Sequence, residues 1–253
     1  MLFLAGAFGW RGALVAISVP GFAAALLLFL GRAAFADAAA RKAPGKAPGK
    51  AEAAVGWKLL LSGPILGNLL FFFLIALAGA GLANFSVVAF GALYGTAFGT
   101  ANLALTAFLF MSALGVLLGG VIADRTRRHH QVAALGFAGS GAAVLALGTI
   151  DVGSVLLVAL MAVGGLLNGI IMPSRDMIVR AVTPQGAFGK VFGFVSTGFN
   201  VGGIAAPPLF GWLMDSGQPR AVLLVVAAAI ALSLMTVLGR APRRLAATAQ
   251  PAE

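Results

Sequence analysis

The densest run of side chains able to do chemistry is Asp124-Arg125-Thr126-Arg127-Arg128-His129-His130. A carboxylate in such a run can pair with a cation, or accept hydrogen bonds from the free N–H groups at the start of a neighbouring helix. Arg125 and Arg128 can anchor a turn at lipid headgroups. The two histidines are adjacent in a loop, and no second cluster of ligands is at hand to complete a metal site. A second charged group, Arg175, Asp176 and Arg180, follows Pro173. Either arginine can pair with Asp124 or Asp176, or reach across to another bundle; simple anchoring at the interface is the plainer alternative.

Other chemistries are excluded by residue type. With no cysteine there are no disulfides, thiol nucleophiles or thiolate metal sites. No pair of carboxylates and no nucleophile beside a base stands out, and the Gly-x-Gly runs lie inside apolar stretches rather than in phosphate-binding loops. The chain is therefore not expected to be an enzyme, nor to carry a cofactor or metal.

The elements that must position these residues are apolar. Hydrophobic residues make up 60% of the 253, and charged residues only 9%, against about 25% charged in an average soluble domain. This excludes an ordinary soluble globule and a disordered chain alike. Seven stretches of near-bilayer length can be drawn, at 12–30, 65–89, 101–123, 132–150, 152–172, 191–214 and 221–238. They are too long and too unalternating for barrel strands, so they are expected to be helices. The fold class is all-α, a polytopic membrane bundle. A cleaved signal peptide fits the first stretch poorly, since no basic segment precedes it and no clear cleavage site follows.

The net charge of +10 is a topology signal. All but Arg11 and Arg220 of the 17 Lys and Arg fall on one side of a seven-span layout. Lys and Arg concentrate on the cytoplasmic side, which puts the N-terminus outside and the C-terminal tail, 240–253, in the cytoplasm of a cell whose inner membrane holds the chain. Nucleic acid is not needed to explain the charge. The longest connection, 31–58, is rich in Ala, Pro and Lys and repeats Ala-Pro-Gly-Lys at 43–46 and 47–50. Such a segment has too little apolar surface to fold and is expected to be a solvated basic linker, able to lie against anionic headgroups.

No Asp, Glu, Lys or Arg falls in the middle of a span, so no intramembrane proton relay is visible. The polar residues there are neutral: Asn68, Asn84, Ser86, Asn102, Thr106, Asn168, Ser196, Thr197 and Asn200. Asn102 with Thr106, and Ser196 with Asn200, are spaced i, i+4 and share a helix face. Such faces can line a midplane substrate cavity, or can act as interhelical hydrogen-bonding glue. Asn84, Asn102, Thr106, Asn168, Ser196 and Asn200 are the cavity candidates, with Asn84, Asn102 and Asn200 preferred. Gly115-x-x-x-Gly119, Gly165-x-x-x-Gly169 and Gly198-x-x-x-Gly202 each put two small residues on one face for close packing. Gly120 is expected to permit such an approach as well. Pro20, Pro64, Pro173 and Pro207-Pro208 are positions to end, start or kink a helix.

Gly120-x-x-x-Asp124-Arg125-x-x-Arg128, in a short turn between two spans, resembles the cytoplasmic loop signature of the major facilitator superfamily. Arg127 departs from it, since the family often has glycine there; relaxed copies are common in the second half of its members. Gly9-Trp10-Arg11 resembles the approach to the sixth helix. The run from Pro173 to Asp215, with Thr-Pro-Gln-Gly and Gly-Trp-Leu-Met-Asp, resembles the tenth-to-eleventh helix region. The resemblance implies that 1–30 is the last helix of an N-terminal bundle, 31–58 a central loop and 59–239 a C-terminal six-helix bundle. About five helices of the first half would then be missing, through a fragment, a truncated gene product or a wrongly started reading frame.

The resemblance further implies alternating-access transport of a small organic solute or drug. Efflux coupled to H+ is the mode suggested, because the loop pattern looks closest to bacterial efflux-type members. Gly120, Asp124, Arg125, Arg128, Arg175, Asp176 and Arg180 would then form a cytoplasmic gate, with the lipid bilayer, the absent half or a second copy as partners. The competing reading is a remnant that transports nothing, or a membrane assembly or regulatory subunit. A seven-span receptor fits the outside N-terminus but neither the motif nor the one-plus-six grouping.

Overall fold

A computed structural model describes residues 2–30, 57–126, 129–181, 183 and 187–238. Arg128, the tail and all of the linker except Trp57 and Lys58 lie outside the described residues. The described residues are almost wholly helical. The chain divides into two compact units, Met1–Ala51 and Glu52–Glu253.

In the first unit, α1 (Leu2–Leu30) is interrupted at Gly9, whose φ of 69° and ψ of 167° break the helix just before Trp10. A positive φ of this kind suits only glycine without strain. Beyond it the helix runs through Pro20 to Leu30, with Leu14, Val15, Phe22 and Phe29 exposed. A helix apolar all round suits a membrane rather than water.

The second unit opens with a single turn, α2 (Trp57–Leu60), and continues with six long helices: α3 (Gly63–Tyr94), α4 (Phe98–Arg125), α5 (His129–Thr149), α6 (Gly153–Ala181), α7 (Phe188–Asp215) and α8 (Pro219–Leu238). Pro64 stands in the first turn of α3, where its absent N–H is not needed. Gly95, at φ 61°, closes the other end of that helix in the left-handed conformation, its N–H bonded to the Gly91 carbonyl. Asp151 Oδ1 accepts a hydrogen bond of 3.0 Å from the Gly153 N–H where α6 begins.

Helices α3, α4, α5, α6 and α8 are each long and apolar enough to cross a bilayer. Helix α7 has the length, but its glycines, prolines, Asn200 and Lys190 dilute its apolar content and leave it outside that group. Its place in the bundle rests on packing. The helices lie side by side in the order α4, α6, α5, α8, α3, α7, with lesser contacts between α3 and α4 and between α7 and α8. The first and last of that row are therefore the least covered. Only 17% of the apolar window of α4 is buried, against 56% for α3.

Glycines set the closest crossings. On α6, a Cβ at Gly165 or Gly169 would strike the carbonyls of Phe108 and Ser112 on α4. On α4, a Cβ at Gly119 would come within 2.7 Å of the Ile170 carbonyl oxygen. Gly198 and Gly202 of α7 meet the Leu69 and Phe73 carbonyls of α3 in the same way. All three Gly-x-x-x-Gly pairs are thus backbone crossings. Gly120 is different, because a Cβ there would meet nothing within 4 Å. The close approach expected at Gly120 falls one residue earlier, on Gly119, which lies on the covered side of the helix.

Aromatic rings join the remaining elements. Phe71 on α3 meets Phe137 on α5 edge-on at 5.6 Å, and Phe72 meets Phe192 on α7 at 6.2 Å. Edge-to-face pairs of this kind add to the stability from area burial alone.

Candidate functional site

Two groups of side chains have functional geometry. The first lies at the bundle end where α4 passes to α5 and α6 to α7. Although Pro173 removes one backbone donor, α6 continues through it, which carries Ser174, Arg175, Asp176 and Arg180 on helix rather than loop. The Arg175 Nη2 lies 3.0 Å from Asp176 Oδ1, and its Nε donates to the same oxygen at 3.0 Å. The guanidinium carbon sits 4.6 Å from the centroid of Phe72 on α3. The arginine side chain is only 13% exposed and the aspartate 46%. A planar, delocalised cation is the one that can stack on a ring and pair with a carboxylate together.

Of the two aspartates offered as partners for Arg175, Asp176 is the one used. Asp124, Arg125 and Arg180 are exposed, and Arg175–Asp176 is the ion pair present among the described residues. The Phe72 contact was not anticipated from the sequence. Nothing in the local pattern marks that phenylalanine among its neighbours Phe71 and Phe73.

The second group is the set of neutral polar residues, which the fold splits three ways. Asn68 and Ser86 are fully buried inside the bundle, so they belong to its packing. Asn84, Thr106 and Asn200 are exposed on α3, α4 and α7, with Asn102 and Ser196 half-covered. Thr106 spends its hydroxyl on the Asn102 carbonyl at 2.8 Å, and Thr197 on the Phe194 carbonyl at 2.7 Å. Asn168 joins neither set: it turns into a small internal cavity with Ser140 and Ser233.

On α7 the exposed residues form a continuous stripe of Gly193, Thr197, Asn200, Ile204, Pro207 and Pro208. The two prolines have no N–H to offer, so the carbonyls of Gly203 and Ile204 lose their usual α-helical donors. At the opposite bundle end the Tyr94 hydroxyl donates to the Leu147 carbonyl at 2.9 Å, tying α3 to α5. No motif in the sequence marks Tyr94. Its position as the only tyrosine, at the end of a span, was the available signal.

A row of bilayer-length apolar helices joined at glycine crossings defines a multi-pass helical membrane protein. The chain belongs to the Major Facilitator Superfamily, whose sequence model matches residues 89–253. A solved structure described as a POT family transporter in complex with a thioalcohol-conjugated peptide shares the fold, with a TM-score of 0.59 at 16% identity. The match covers 72% of this chain and 39% of that one, so the chain spans well under half the length of that transporter. No curated protein matches the chain.

Proposed function

We propose that residues 59–239 form one bundle of a secondary transporter that moves a small organic solute or drug by alternating access. The mode we assign is efflux coupled to an H+ gradient. One observation carries this reading: the least covered helices, α4 and α7, and their neighbour α3 each present an exposed polar residue, Thr106, Asn200 and Asn84, in otherwise apolar surroundings. Exposed amides in a hydrocarbon-length helix are costly unless they meet water, cargo or a facing bundle. Pro207 and Pro208 on the same stripe free two backbone carbonyls, and transporters use Gly- and Pro-weakened helices beside their binding sites.

In this mechanism the bundle rocks against a second one, supplied by a longer form of the chain or by another copy. Residues 1–30 would be the last helix of that second bundle and 31–58 the loop between the two. The Arg175–Asp176–Phe72 group would act as a latch at the cytoplasmic end, with Asp124, Arg125 and Arg128 on the neighbouring turn. Lys and Arg enrichment at that end supports the orientation, in which the N-terminus is outside the inner membrane and the tail within.

The test is reconstitution into vesicles, alone and together with an N-terminal bundle, followed by a panel of solutes under imposed pH gradients. The panel should include a thioalcohol-conjugated peptide, the ligand named for the similar solved transporter. Uptake or release that follows the gradient and is lost in Asn200→Leu supports the reading. If no solute moves under any gradient in either preparation, the transporter reading fails, and the chain is better understood as a remnant or assembly subunit.

A further inference from the structure

Helices α3, α4, α5, α6 and α8 converge on an internal niche of about 20 Å3. Gly79, which is exposed, and Asn168, half-buried, stand at its mouth, while Ser140 and Ser233, both buried, form its floor. The rest of the lining is hydrocarbon, including Leu82 and Phe108. Ser233 already donates its proton to the Ala229 carbonyl at 2.8 Å, which leaves its oxygen lone pairs to accept. No hydrogen bond among the described residues satisfies Asn168 or Ser140.

We propose that this niche is a binding site for a single water molecule, held by the Asn168 carboxamide and the hydroxyls of Ser140 and Ser233. Size and chemistry agree. One water needs roughly 10–15 Å3 and about three polar partners, whereas apolar cavities of this kind stay dry. Polar groups at this depth in a membrane have no bulk solvent to turn to, so an internal water is the remaining way to satisfy them. Ser140 and Asn168 sit near the middle of α5 and α6, with Ser233 in the last third of α8, and a shared water links elements that make no direct side-chain hydrogen bond there among the described residues. Asn168 thereby becomes part of the bundle's internal frame rather than of its outward stripe. The proposal does not depend on what the protein transports.

Pulsed hydroxyl-radical footprinting on the full chain in lipid nanodiscs tests it, because water activated in place oxidises the side chains that touch it. Leu82 and Phe108 should label several-fold faster than Phe71 and Phe90, which are buried but do not line the niche. Asn168→Leu should bring both down to the rate of Phe71. Ser140→Ala is a second variant, which removes a hydroxyl from the buried floor without adding bulk. It should have the same effect. Labelling of Leu82 and Phe108 no faster than Phe71 in the unaltered protein would overturn the proposal, as would fast labelling that survives both substitutions in folded protein.

Discussion

The Arg175 guanidinium is stacked at 4.6 Å on the Phe72 ring of another helix while its Nε and Nη2 share one carboxylate oxygen of Asp176. The ring in turn meets Phe192 edge-on. One cation thus ties α6 to α3, and through the ring to α7. Because Asp176 is about half exposed, water screens the carboxylate side of the arrangement, whereas the ring side is shielded. The aromatic contact is therefore expected to be the stronger of the two.

A double-mutant cycle between Phe72→Leu and Arg175→Met should return a coupling of about 1 kcal/mol in the unfolding midpoint in detergent. The corresponding cycle with Asp176→Asn should give no more than about 0.5 kcal/mol. Arg175→Lys should recover only part of the loss, since an ammonium does not stack as a planar cation does. A larger coupling to Asp176 than to Phe72 would reverse this ranking.

Two glycine-to-alanine substitutions should separate sharply. Gly169→Ala drives a methyl into the Ser112 carbonyl and should cost about 1–3 kcal/mol, read as a fall in thermal midpoint. Gly203→Ala meets open space and should be neutral, or stabilising by up to about 1 kcal/mol. If the Gly203 region is a working bend, transport should drop in that variant while the midpoint holds or rises.

Ser86 and Asn200 should behave oppositely. The buried Ser86 hydroxyl has no hydrogen-bond partner, so Ser86→Ala should leave the midpoint unchanged or raise it by about 1 kcal/mol. Exposed Asn200 supports nothing inside the bundle, so Asn200→Leu should move the midpoint by less than about 0.5 kcal/mol. Its effect should appear in solute binding or flux.

The absence of native cysteine makes orientation directly readable. Gln218→Cys and Arg180→Cys place single reporters on exposed positions at opposite bundle ends. An impermeant maleimide on intact cells should label the first at once and the second only after permeabilisation. The reverse pattern would invert the proposed topology.

Helix centres were legible because a run of apolar residues is a direct statement about hydrocarbon. Their ends were less so: the stretch drawn as 152–172 continues as helix to Ala181, through Pro173 and a charged turn. Polarity marks where hydrocarbon stops, whereas backbone hydrogen bonding carries the helix further. The three glycine pairs were readable from spacing, but the choice between Gly119 and Gly120 was not, because one residue rotates a side chain by about 100° around the axis. Which amides face inward was also hidden. Asn68 and Asn84 occupy the same apolar helix, and only the neighbours α7 and α8 decide that one is enclosed and the other open. The Arg175–Phe72 contact joins positions far apart in the chain, beyond the reach of any local pattern.

The side-by-side order of the helices has a consequence for how the protein is made. Helix α3 finds its principal neighbours in α7 and α8, the last made of the described helices. Until synthesis has passed Leu238, the face of α3 that those helices cover has only lipid or a chaperone beside it. Helix α3 cannot complete its packing with the next helix made, and long-range pairing of this sort is slow and open to misassembly. Nascent chains stalled before α7 should accordingly be the form most prone to degradation in the cell.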